Sequence, residues 1–151
     1  MPEMLSSKEF KGQWVGHFTY GPAYGEELNG EKVQFRLFVN ECSNKEFSGK
    51  CIDLEGVGAN YELAEVKGFL KEEFISFTKQ YPHYYKIDEW GNTLTDKNSP
   101  HPEIHYEGYY DAHSKKITGS WEMTFDVEQV GEDWLEEVCS GSWELAKDKE
   151  A

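Results

Sequence analysis

The sequence predicts an all-β protein, an eight-stranded antiparallel up-and-down β-barrel with a short N-terminal helical turn. Three observations carry this. Apolar and polar residues alternate with period two through eight segments rich in Phe, Tyr, Trp, Val and Ile. No amphipathic helix of useful length interrupts them, which disfavours parallel pairing through helical crossovers. Glycines also fall inside the segments, at Gly16, Gly49, Gly68 and Gly108, where a flat sheet would be weakened but a coiled one needs places to bend.

Ser6 stands three residues before Glu9, with Phe10 next. That is capping-box spacing, and it predicts one helical turn over 7–11. The strands follow at 12–20, 33–40, 45–54, 61–70, 72–81, 103–111, 115–125 and 135–146. Turn chemistry separates them, as in Cys42-Ser43-Asn44 and the Gly-rich stretch 55–60. All 151 residues are expected to form a single domain. Gly12-Gln13-Trp14, Gly119-Ser120-Trp121 and Gly141-Ser142-Trp143 repeat one small pattern, glycine and tryptophan two apart on the same strand face. A bare glycine lets a facing ring lie directly on backbone. Closure into a barrel explains this best, and eight strands enclose just enough space for side chains or one small ligand.

Alternation assigns the inner face to Trp14, Gly16, Phe18 and Tyr20 on the first strand. On the third it selects Phe47, Gly49, Cys51 and Asp53, and on the fifth Ile75, Phe77, Lys79 and Tyr81. Ile104, Tyr106, Gly108 and Tyr110 follow on the sixth, with Ile117, Gly119, Trp121, Met123 and Phe125 on the seventh. Up-and-down connectivity gathers the long connections 21–32, 55–60, 82–102 and 126–134 at one end, which is predicted to be the mouth. The N-terminal turn enters from the other end and would plug it. The 82–102 connection is expected to have no structure of its own and to act as a lid carrying Tyr84, Tyr85 and Trp90.

Composition narrows the partners. Fifteen Lys and Arg stand against 29 Asp and Glu, a net charge of −14, and a negative field of that size repels nucleic acid and anionic membranes. No apolar run approaches the roughly 20 residues of a membrane helix. Aromatic residues make up 15% of the chain, too many for a disordered acidic segment. Cys42, Cys51 and Cys139 are odd in number and form no CxxC pair, so neither a disulfide framework nor a zinc site is expected. With no basic and apolar leader at the start, this predicts a cytoplasmic protein. Closure removes free strand edges, so edge-to-edge dimers are not expected.

The leading helical turn, Gly12-x-Trp14 at the head of the first strand and the Gly-rich eight-strand meander resemble the calycin group, the small barrels that include lipocalins and avidin-like proteins. The resemblance implies an interior cavity for a small, mostly apolar molecule. The chain departs from lipocalins in having no arginine on the last strand to cover Trp14 and no Thr-Asp-Tyr motif in the middle. Avidin's biotin contacts do not map onto it residue by residue.

Candidate chemistry lies on the inner face near the mouth. An inward lysine is costly unless paired, so Lys79 and Asp53 either form a couple that orients a ligand's polar group or Lys79 snorkels to the rim. Tyr20, Tyr81 and Tyr106 offer phenols to an otherwise apolar ligand, or are core residues with internal partners. Trp121 completes the predicted ligand-binding set, although Trp14, Trp121 and Trp143 all suit packing. His101 and His105 are roughly 13 Å apart on an extended strand, so one metal ion does not bridge them, and no metal or other cofactor is expected. No nucleophile elbow or phosphate-cradling loop occurs. The leading expectation is a barrel that binds a neutral or cationic small molecule. The alternatives are a solidly packed interaction module and, more distantly, a cofactor-free isomerase or cyclase.

Overall fold

In the computed structural model, residues 6–22, 28–56, 59, 61–87, 93–96, 101, 103–130 and 133–148 are described. A one-turn helix, α1 (Ser7–Phe10), precedes β1 (Gly12–Tyr20), β2 (Lys32–Ser43), β3 (Glu46–Glu55), β4 (Ala64–Lys71) and β5 (Phe74–Gln80). A small hairpin of β6 (Tyr84–Ile87) and β7 (Thr93–Asp96) comes next, then β8 (Ile104–Asp111), β9 (Lys116–Val130) and β10 (Asp133–Lys147). Eight strands close in the order β1-β10-β9-β8-β5-β4-β3-β2, every neighbour antiparallel. This closed meander is the eight-stranded antiparallel up-and-down barrel that the sequence predicts.

β2 runs on to Ser43 and β4 begins only at Ala64, and three further boundaries differ from the sequence expectation for a physical reason. The 82–102 connection contains the β6–β7 hairpin, in which Tyr84 pairs with Asp96 and Ile87 with Thr93, so the segment is not without structure. Trp90 lies outside the described residues. The 126–134 stretch, expected as a loop, continues the β9–β10 ladder until Val130 faces Asp133. A register shift between Leu135 and Glu137 lets the hairpin lengthen while the barrel keeps its own register. At the opposite end Asn44 and Lys45 form the β2–β3 turn with φ of 51° and 67°, so β3 starts after Lys45. Two successive positive φ values mark a type I′ hairpin turn, which matches the strand twist and favours asparagine at its first position.

The core is continuous from end to end. At the closed end the Ser6 hydroxyl accepts from the Glu9 amide at 3.1 Å and meets the Glu9 carboxylate at 2.8 Å, the capping box read from the sequence. The cap holds Phe10 inside the barrel, edge-on to Phe47 with ring centroids 4.6 Å apart. Trp14 Nε1 donates to the Phe10 carbonyl at 2.8 Å. No arginine covers Trp14, but Lys147 does: its Nζ sits 5.4 Å from the Trp14 ring and donates to the carbonyls of Glu9, at 2.7 Å, and Lys11. One cation therefore ties the last strand to the first tryptophan and caps the C-terminal end of α1.

The Gly-x-Trp echo works as its spacing suggested. Trp121 pairs with Gly141, where an added Cβ would lie 1.9 Å from the Thr19 carbonyl oxygen and 2.6 Å from Trp121 Nε1. Trp143 lies against Gly108 in the same way, its Cζ2 being 2.7 Å from where a Cβ would stand. Each indole then donates across the wall, Trp121 to the Thr19 carbonyl at 3.2 Å and Trp143 to the Ser120 carbonyl at 3.0 Å. Gly141→Ala is expected to destabilise the fold by about 1–3 kcal/mol, because backbone rather than a flexible side chain must yield. Urea denaturation checks this, and a change within about 0.5 kcal/mol would show that the β1–β10 seam can open without cost.

Candidate functional site

Five strands build a polar cluster in the middle of an aromatic interior. β3 supplies Cys51 and Asp53, two residues apart and therefore on one face. β5 supplies Lys79, and Tyr81 follows directly after its end. β1 and β2 bring Phe18 and Phe35, and β8 brings Tyr106. Lys79 is fully buried and paired with Asp53, so it does not snorkel to the rim. Its ammonium donates to Asp53 Oδ1 at 3.3 Å, and neither side chain has any exposed surface. The Tyr81 hydroxyl donates to the same carboxylate, 2.8 and 2.9 Å from its two oxygens.

Around this couple the rings form a cage. Lys79 Nζ lies 4.7 Å from the Tyr81 ring centroid, 4.9 Å from Phe18, 5.1 Å from Phe35 and 5.8 Å from Tyr106. Aromatic faces attract a desolvated cation by about 2 kcal/mol at best. At 3.3 Å and an effective dielectric near 20, the Lys79–Asp53 attraction is about 5 kcal/mol. Desolvation costs several kcal/mol for each ion, so the couple roughly breaks even and is a weak source of net stability.

Cys51 belongs to the same cluster. Burial pushes its thiol from the ordinary 9.0 up to about 12, with the charge of Lys79 opposing the shift and that of Asp53 reinforcing it. His101, itself buried, stands edge-on to Tyr81 with ring centroids 5.2 Å apart. The Gln80 side chain holds this segment by donating to the His101 carbonyl at 2.9 Å.

A small cavity lies between this cluster and the mouth, lined by Phe18, Tyr20, Tyr81, Tyr106, Trp121 and Met123 together with Ile104. Its volume is about 10 Å³, room for one water molecule at most. Of the sequence-predicted residues, Tyr20, Tyr81, Tyr106 and Trp121 line the cavity, and Asp53 and Lys79 stand behind its Tyr81 and Phe18 walls. Tyr84 and Tyr85 lie on β6, and their side chains fall outside what is described. The sequence reading did not give roles to Phe18, Phe35, Cys51 or His101. Phe18 and Cys51 were legible as inward by parity. Phe35 was legible the same way, since Val33, Phe35, Leu37 and Val39 alternate along β2. His101 precedes β8 and has no strand parity to read.

Among the described residues, no group of three or more Asp, Glu, His or Cys side chains converges to hold a metal ion. No helix among them is long and apolar enough to cross a membrane. No protein-family profile matches the chain, and no curated protein does. Among solved structures the chain is similar to rhizavidin, at 15% identity and a TM-score of 0.45, over 91% of this chain and 85% of that one.

Removing one partner of the buried couple leaves a lone charge in the aromatic cage. Asp53→Leu and Lys79→Met are each expected to cost 3–5 kcal/mol, whereas the double variant returns to within about 1–2 kcal/mol of the parent. A double-mutant cycle in urea checks this, and additive losses would mean that the two groups do not depend on each other. The Cys51 thiol is expected to resist iodoacetamide at pH 8 in the folded protein, while the half-buried Cys42 reacts. Folded Cys51 holds its proton more tightly than the unfolded chain does. Its contribution is therefore complete below about pH 9 and is lost as pH climbs from 9.0 towards about 12, where alkaline unfolding is expected to steepen.

Proposed function

We propose that the barrel binds a small, mostly apolar, neutral molecule through its mouth. The molecule's polar end meets the Tyr81–Asp53–Lys79 cluster, and its body lies against Tyr20, Tyr106 and Trp121. One observation carries this: a completely buried ion pair, which adds little to stability, stands at the floor of an aromatic cavity on the side away from the helical plug. The cage already holds a cation in Lys79, and Asp53 is already neutralised by it. A cationic ligand would face repulsion from Lys79 with no free carboxylate beside it among the described residues, so the neutral half of the sequence expectation is favoured. Room comes from the cavity wall. Met123 has three rotatable bonds and a place at the cavity, which makes it the side chain that moves at least cost.

A second reading has a specific observation behind it. A cavity of about 10 Å³ is far below the roughly 300 Å³ of ordinary ligand sites, which favours a packed module whose outer surface does the work. Native mass spectrometry of protein taken from its own host separates the two. The binding reading expects a retained small molecule in the parent and none in the Lys79→Met/Asp53→Leu double variant, which keeps the fold while removing the polar floor. No retained mass in the parent, together with no change in Trp121 fluorescence on adding small neutral aromatics, would favour the packed module.

A further inference from the structure

We propose that Lys79 is an imine-forming lysine, and that the ligand class of the barrel includes small apolar aldehydes captured reversibly on its Nζ. This inference rests on the binding function proposed above and names the chemistry of that site. Three arrangements carry it. A primary amine lies entirely out of water among four rings, surroundings that offer an ammonium little of the solvation it has in water. Asp53 Oδ1 stands 3.3 Å from that nitrogen, close enough to take its proton and return it. Phe18, Tyr81 and Tyr106 each both face Nζ and line the cavity, so a carbonyl carbon entering there approaches the nitrogen between shared rings.

The step balances without an oxidant or reductant. Nζ passes a proton to Asp53, and its lone pair forms a bond to the carbonyl carbon while the C–O π electrons move to oxygen. Oxygen takes the proton back from Asp53, giving a carbinolamine. Nitrogen then gives up its second proton to Asp53, its lone pair forms the C=N bond, and the C–O bond breaks. The departing oxygen leaves as water with that proton. Amine and aldehyde become imine and one water. Tyr81, donating to the same carboxylate at 2.8 Å, holds Asp53 in place throughout and is a positioning residue. A dry interior favours the imine, because its hydrolysis needs the water that the rings exclude.

The probe is benzaldehyde at a molar amount below that of the protein, with cyanoborohydride at neutral pH to deliver hydride to any imine carbon. Peptide mapping of the folded parent is expected to find the benzyl group on Lys79 ahead of the exposed lysines. Denaturing the protein first is expected to abolish that preference, and Lys79→Arg, which keeps the charge but forms no imine, is expected to lose the adduct. Labelling spread over surface lysines with Lys79 unmodified would overturn the proposal, and the alcohol analogue tells which part has failed. If benzyl alcohol still perturbs Trp121 fluorescence, binding stands and imine formation falls. If neither probe engages the folded barrel, both fall.

Discussion

The buried Lys79–Asp53 couple is the constraint around which the interior is arranged. Apolar packing alone could fill an eight-stranded barrel, and most of this one is filled that way. Two opposite charges with no exposed surface impose more. The carboxylate must find a second donor, which Tyr81 supplies, and the ammonium must lie over ring faces rather than ring edges. These demands place Phe18, Phe35, Tyr81 and Tyr106 around one point and fix the register of β3 against β5 through β4. Cys51 pairs with Ala64 and Val66 pairs with Lys79, so a slip of one residue would turn Asp53 or Lys79 out to water and its partner into an unpaired charge.

Much of this was legible in the chain because strand parity is a strong rule where one face is buried. The lysine between Phe77 and Tyr81 and the aspartate two residues after Cys51 could be placed inside before any coordinates. The cost of leaving either alone made their pairing one of two readings, and the burial of Lys79 decided between it and a snorkelling lysine. Glycine positions were legible for a similar reason, since a ring and a backbone competing for one volume require a residue without a Cβ. Legibility failed where parity stops. The β6–β7 hairpin is four residues a side, and its backbone pairing leaves no strong mark on so short a stretch. The alternation of β9 runs on only to Val127, and the polar and charged residues that follow read as a loop. Lys147 lies just past the apolar run of the last strand, and only the register Trp14↔Lys147 brings it to the indole. The cavity's size is a matter of packing volume, which a one-dimensional pattern does not encode.

The two ends of the barrel differ in how they are closed. At the plugged end Phe10, Trp14, Phe47 and Lys147 interlock through a helix cap, a cation over an indole and main-chain acceptors, so opening it would break several contacts at once. At the other end Tyr20, Ile104, Trp121 and Met123 border the small cavity. Local opening costs least where few apolar contacts must separate. Under the binding function proposed above, the ligand reaches the ion pair from the mouth.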